Sequence, residues 1–437
     1  MDKLTWLDLR GDRSDPSHRL PRATDEAVTE VRDTVRDILA AVRRDGDGAV
    51  AHCSASFDGY DGHAGWEIPA ATAEQALTEL DGDLRAALER AADQVRWFHE
   101  RARPRDWLED RDGALLGVRH QPLRRVGCYA PGGRAPLPSS VLMTVVPARV
   151  AEVDEVVLCT PPGADGEVNR TILAAAALAG ADRIFRIGGA QAIGAMAYGT
   201  GSVPRCDKVV GPGNVYVAEA KAQVSGEGAC GIDTLAGVTE VAIIADGSAD
   251  PVHVATDLVA QAEHDPLATA LLITPDDSFG ARVETALGDE VAATRHADRV
   301  RTALAGQGAI VLVDDLDHAV EVANAFAAEH LEVQCHDAVG VAEKVRCAGA
   351  VFVGGTSPVS LGDYAAGPNH TLPTGGSARY RGGLSTADFL VPVNWVQYSR
   401  DGLARLAPVV AALAAAEDLP AHARAVQARV HDEGAGP

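Results

Sequence analysis

The stretch that decides the fold runs from Glu155-Val156-Val157-Leu158-Cys159, through the Ala-rich run 169–179, to Arg183-Ile184-Phe185-Arg186 and the run 190–198. Short apolar runs bounded by turn residues read as buried strands, and the Ala-rich runs between them carry a helical pattern. Strand and helix in alternation predict a parallel sheet with helical crossovers. A strand at 208–210 and a helix at 214–224 continue the series. Gly188-Gly189 and Gly211-Pro212-Gly213 follow the strands, where open α/β sheets place ligands.

Outward from this core the alternation restarts after residue 238. Strands are expected at 240–245, 270–274, 309–313, 332–334 and 350–353, with helices at 251–263, 316–329 and 338–347. On the other side, Val28, Val31, Val35, Ile38, Leu39 and Val42 lie at helical spacing and Gly46 stops them. Leu84, Leu88, Ala91, Val95 and Phe98 form a second such stripe, ended by Pro104. Residues 1–25 are polar and Pro-punctuated and read as an arm. The chain after residue 383 is less regular and ends in an Ala-rich helical tail suited to docking on a partner subunit. The expected fold is therefore α/β, with two Rossmann-like parallel-sheet domains, an N-terminal arm (1–25) and a helical C-terminal tail (384–437). One domain takes 129–237, and the other combines 26–128 with 238–383.

Composition narrows the function. The 437 residues carry 39 basic and 62 acidic side chains, a net charge of −23, which repels a phosphate backbone and an anionic membrane surface. The apolar run 406–416 is far shorter than the ~20 residues a spanning helix needs. Neither a signal peptide nor a C-x-x-C pair is visible, and 7 cysteines are an odd set. These features predict a cytoplasmic, soluble protein with reduced thiols.

Several motifs carry chemistry. Gly226-Glu227-Gly228-Ala229-Cys230-Gly231 matches G-x-G-x-x-G, but a helix precedes it and a strand follows, the reverse of a dinucleotide fingerprint. In Gln261-Ala262-Glu263-His264, residues three apart on a helix can aim an amide oxygen and an imidazole at one point. Glu329-His330 at an expected helix end suits acid–base chemistry, because the helix dipole favours a protonated imidazole there. Residues 360–376 form a long polar loop with Asp363 and His370, and Glu417 and His422 lie in the last helical region. Each alone fits an ordinary surface role. Together they look like a metal site beside an acid–base pair. No H-E-x-x-H and no G-x-S-x-G is present to support a metalloprotease or a hydrolase triad.

Taken in order, Tyr129 through Met143, Gly188 through Ile193, Gly211 through Asn214, Gln261 through His264, Glu329-His330-Leu331, Gly362-Asp363-Tyr364, Asn369-His370 and Glu417 through His422 resemble the histidinol dehydrogenase family. The resemblance implies an intertwined homodimer that oxidises L-histidinol to L-histidine with two NAD, the last step of histidine biosynthesis. It implies one zinc per subunit, held by Gln261, His264, Asp363 and, from the other subunit, His422. Those four, with Thr239, His330, His370 and Glu417, would contact substrate. His330 would act as general base and Glu329 would activate water, while Tyr129, Gln191 and Asn214 would meet NAD. The chain departs from the family's usual Ala-Gly-Pro-Ser-Glu in reading Ala236-Gly237-Val238-Thr239-Glu240, and it carries Pro368 before Asn369. The competing readings are a relative that oxidises another amino alcohol or small diol with NAD, and a metal-dependent ligand-binding protein.

Overall fold

The computed structural model describes residues 4–23, 28–132, 136–163, 165–235 and 237–430. Two compact units emerge, one of residues 1–102 and 123–389, the other of residues 103–122 and 390–437.

The first unit contains two six-stranded sheets. Sheet I holds, in spatial order, Thr5–Asp8, Gly308–Leu312, Thr269–Thr274, Glu240–Ala245, His330–Gln334 and Ala350–Val353, all parallel. Sheet II holds Glu67–Ile68, Arg183–Arg186, Glu155–Thr160, Arg125–Tyr129, Lys208–Val210 and Gly231–Ile232, parallel except for its first strand. Its centre is fully buried, with Val156, Val157, Leu158 and Cys159 excluded from solvent, as continuous apolar strands covered on both faces must be. In each sheet the earliest strand of the crossover series, Glu240–Ala245 or Arg125–Tyr129, sits in the middle. The next strands extend to one side and the later ones to the other, so strand order reverses beside it.

The amphipathic stripe at the N-terminal end becomes the helix Val28–Asp45, whose Val35, Leu39 and Val42 pack into the core on sheet II. The second stripe becomes Gly82–Ala102, burying Leu88, Ala91 and Val95. The expected domain partition is thereby redrawn. Residues 28–102 do not join sheet I. Glu67–Ile68 pairs with Arg183–Arg186, and Val31 through Val50 share a core with Ile193 and Met196. The expected arm is partly a strand, because Thr5–Asp8 finds an open edge at Gly308–Leu312.

In the second unit, Trp107–Arg111, Ala114–Pro122 and Leu390–Tyr398 form an antiparallel sheet, followed by the helices Arg400–Ala416 and Pro420–Val430. After its first residue, the strand Leu390–Tyr398 is exposed along its whole length in the single chain. The tail therefore begins with a strand as well as ending in helices, and it takes 103–122 with it.

Candidate active site

The expected acid–base pair, Glu329 and His330, lies at the amino edge of sheet I. Helix Leu316–Phe326 ends in a left-handed Ala327 (φ 53°), and the chain then turns directly into the strand His330–Gln334. Glu329 and His330 therefore start a strand and do not end a helix, which corrects the sequence expectation. His330 stands in register with Val241 and Ala350. Thr239 and Glu240 open the neighbouring strand. Helix Pro251–Ala262 runs back across the sheet, so its last turn returns Gln261 to the same edge, and His264 follows just beyond the helix end.

These side chains are linked. The Gln261 amide nitrogen donates to the Thr239 hydroxyl at 2.5 Å, and that hydroxyl donates to Glu329 Oε2 at 2.5 Å. The backbone N–H of Glu240 donates to the same oxygen at 3.0 Å. With its nitrogen committed, Gln261 has its amide oxygen as the group able to bind a cation. His330 Nδ1 lies 3.3 Å from the carbonyl oxygen of Glu240. A carbonyl can only accept, so Nδ1 carries the proton and Nε2 keeps its lone pair. Nε2 is 3.9 Å from Asp363 Oδ1, and Nδ1 is 3.6 Å from Glu329 Oε2.

Asp363 belongs to a short helix, Val359–Tyr364, where the sequence suggested only loop. That helix approaches Phe352 closely enough that a Cβ on Gly362 would stand 2.6 Å from its ring, so only glycine fits there. The Asn369 side chain donates to Met143 O at 2.6 Å and fastens the next segment to the helix Pro138–Val150. His370 follows it, with Nε2 buried and without a hydrogen-bond partner. His330, Asp363 and His370 line one cavity of about 280 Å³, together with Phe352, Pro368 and Leu372.

Burial sets the protonation states. It pushes Glu329 up to about 7, with the hydrogen bonds from Thr239 and Glu240 opposing it. It holds the His330 and His370 imidazoles down to about 4. Burial also raises Asp363, while the nearby His330 and His264 pull it the other way. The helix dipole expected to favour a charged His330 is absent at a strand start, and desolvation makes the neutral ring the stable form.

The other three residues expected to act together sit at the carboxyl edge of sheet II. Tyr129 ends the central strand, and its buried hydroxyl accepts from Gly189 N at 3.2 Å. Asn214 caps the helix Val215–Gly226 by accepting from Tyr216 N and Val217 N. Gln191, on the helix Gly189–Tyr198, has its amide oxygen buried and unpartnered. Tyr129 and Asn214 flank the point where strand order reverses, the usual ligand crevice of such sheets. Gly211, at φ +117°, lets the 211–214 turn reach Tyr129, since a Cβ there would fall on its carbonyl oxygen.

A family model described as histidinol dehydrogenase matches residues 21–430. A histidinol dehydrogenase of Thermobifida fusca is 48% identical over 98% of both chains, and one of Syntrophotalea carbinolica is 48% identical over 92% of this chain and 93% of its own. The chain belongs to the histidinol dehydrogenase family. The crystal structure of the histidinol dehydrogenase from Elizabethkingia anophelis superposes with a TM-score of 0.93 at 31% identity, over 98% of each chain.

In this member of the histidinol dehydrogenase family, Thr239, Gln261, Glu329, His330 and Asp363 share one connected cluster, with His264 acting on it electrostatically and His370 lining the same cavity. Glu417 and His422 lie in the second unit, at the end of helix Arg400–Ala416 and in helix Pro420–Val430, both exposed. Among the described residues of one chain, no group of three His, Cys, Asp or Glu side chains is placed to hold a metal. Three residues beside the expected cofactor positions escaped sequence reasoning. Asp58, pushed up to about 6 by burial, accepts from Gln191 Nε2 at 3.3 Å. Buried Lys221 donates to Gly211 O at 2.9 Å and pairs with Asp233, which accepts from Gly211 N at 2.8 Å. None of the three sits in a recognisable motif, so no sequence signal pointed to them.

Proposed function

We propose that the chain oxidises L-histidinol through L-histidinal to L-histidine, reducing two NAD, as the final step of histidine biosynthesis. The observation that carries this reading is His330, a buried neutral imidazole with a free Nε2 lone pair between Asp363 and Glu329. Gln261, His264 and Asp363 offer an amide oxygen, an imidazole and a carboxylate, a mixed oxygen and nitrogen set suited to zinc. One chain supplies three donors, and His422 from a second copy completes four. The exposed apolar strand Leu390–Tyr398 supports a homodimer that covers it. When bound, zinc supplies a Lewis-acidic anchor for the substrate's imidazole and amine, and NAD supplies the hydride acceptor.

The residues divide the remaining work. His330 Nε2 takes the alcohol proton as the carbon loses hydride, giving the aldehyde. Glu329, ionised, takes a proton from water as that water adds to the aldehyde. His330 returns its first proton to the aldehyde oxygen as the water adds, and then takes a proton from the hydrate as the second hydride leaves, giving the carboxylic acid, which ionises to the carboxylate. Neutral His370, with an unpartnered Nε2, suits a hydrogen bond to the oxidised end, and Glu417 reaches the substrate from the partner. Tyr129, Gln191 and Asn214 position NAD at sheet II, while sheet I serves substrate and zinc. Among the described residues no helix is long and apolar enough to cross a membrane, in keeping with action in the cytoplasm.

The deciding measurement is NADH yield per L-histidinol. Two NADH per substrate are expected, lost on chelation and restored by zinc. His330→Ala should keep its zinc and lose hydride transfer. Zinc-loaded protein that turns over another amino alcohol and leaves histidinol untouched would sink the substrate assignment.

A further inference from the structure

Behind the site lies a second group of polar side chains, Glu332 and Gln334 buried and Asp257 half-buried, that the chemistry above does not use. Glu332 and Gln334 follow His330 at alternate positions of one strand, so the three share a face. Asp257 meets them from helix Pro251–Ala262, one turn before Gln261. The Gln334 amide nitrogen donates to Glu332 Oε2 at 2.7 Å and to Asp257 Oδ2 at 2.9 Å. The two carboxyl groups thus meet on one amide nitrogen, and in so buried a place a proton held between them is favoured over two adjacent charges. The remaining Glu332 oxygen, Oε1, accepts the backbone N–H of Val359 at 2.9 Å, the first residue of the helix that carries Asp363.

Three elements are thus tied at one point: the helix that brings Gln261, the strand that starts with His330, and the short helix of Asp363. We propose that Glu332, sharing a proton with Asp257, is a positioning residue that fixes Gln261 and Asp363 relative to His330 for metal binding. The inference rests on the reading of Gln261, His264 and Asp363 as zinc ligands. A protonated carboxyl is suited to the place because it donates to Asp257 and accepts from Val359 at once. Two charged carboxylates in contact without water would repel, and an alkyl side chain would leave Val359 N–H unsatisfied.

Burial first, and then the Asp257 charge, push Glu332 up to about 8, and burial raises Asp257 as well. His253, one turn earlier on the Asp257 helix, is the other titratable group acting on the pair and favours ionised Asp257. The fold therefore keeps a proton that the unfolded chain releases at about 4.5, and the pair costs stability increasingly as pH rises from there to about 8.

The test compares full-length wild type, Glu332→Gln and Glu332→Ala in zinc titrations of metal-stripped protein and in thermal melts across that pH range. Glu332→Ala should weaken zinc binding by about tenfold or more, the usual effect of losing an outer partner of a metal ligand. Glu332→Gln should stay within about threefold of wild type, since its amide can still accept from Val359 and donate to Asp257, while Gln334 can turn its unpartnered amide oxygen toward the new NH2. Wild type should lose melting temperature relative to Glu332→Gln as pH rises. A folded Glu332→Ala protein with wild-type zinc affinity overturns the positioning role. Parallel pH curves for wild type and Glu332→Gln overturn the shared proton, whether or not the alanine variant folds. Failure of wild type itself to bind zinc overturns the ligand assignment and the positioning role with it, while the melts still judge the proton.

Discussion

Thr239 has a single hydroxyl proton, and the fold commits it to Glu329. Toward Gln261 the same oxygen is an acceptor, so one side chain orients both the residue proposed to activate water and an expected metal ligand. Thr239→Val keeps the shape and removes both bonds. Its kcat is expected to fall by about 10–100-fold while Thr239→Ser stays close to wild type, as for other groups that orient ligands from behind. Equal rates for threonine and valine in steady-state assays would show that the hydroxyl has no such role. At this scale the sequence was legible in identity and illegible in state. Gln261, His264, Glu329, His330 and Asp363 stood out by motif. The neutral form of His330 did not, because it depends on a strand start and on burial among Glu240, Asp363 and Phe352.

Among elements, the strand–helix alternation at the centre of both sheets could be read from apolar runs because those strands are covered on two faces. The antiparallel strands Trp107–Arg111 and Leu390–Tyr398 could not. Glu109, Asp110 and Arg111 break any apolar run, and Leu390–Tyr398 finds its partner at Ala114–Pro122, far back in the chain. The helix bearing Asp363 was missed because its six residues, Val359–Tyr364, are too few to show a period. The connection between Lys208–Val210 and Val215–Gly226 shows what such local pattern leaves out. Buried Lys221 and Asp233 hold the N–H and the carbonyl of Gly211 between them. Lys221→Met leaves Asp233 buried and unpaired and should cost about 3–5 kcal/mol in urea unfolding. The double variant Lys221→Met, Asp233→Leu should recover much of that stability. It should still bind NAD more weakly, because the Gly211 groups lose both partners. Wild-type NAD affinity in the double variant, measured by fluorescence titration, would separate this pair from cofactor binding.

For the whole molecule, buried titratable groups act in opposition. The unfolded chain protonates His99, His330 and His370 near 6.5, whereas the fold keeps them neutral to about 4, chiefly by desolvation. Desolvation also keeps Glu240 and Glu329 protonated to about 7, and Glu332 to about 8, against 4.5 unfolded. Histidines refused a proton cost stability below 6.5, and carboxyls refused ionisation cost stability above 4.5. Between those values the two slopes offset each other. Above 6.5 only the carboxyls contribute, so the stability of the metal-free protein should fall as pH rises from about 6.5 to about 8, each group contributing about 1.4 kcal/mol per pH unit while it titrates. Urea melts showing stability rising through that window would contradict the assignment of these groups as buried acids.

The edge strand Thr5–Asp8 has a consequence for synthesis. It leaves the ribosome ahead of the other strands of sheet I, and its partner Gly308–Leu312 is made about 300 residues later, a delay of tens of seconds at the usual ~5–20 residues per second. Sheet II, whose strands all fall between Glu67 and Ile232, can close during that interval. Sheet I cannot be completed until Ala350–Val353 has emerged, so the edge carrying the proposed pair Glu329 and His330 is assembled late, on a nascent chain whose sheet II has had time to fold. A waiting strand of four residues offers a neighbouring nascent chain little backbone to pair with, and its shortness protects the chain through the one period when that edge stands open.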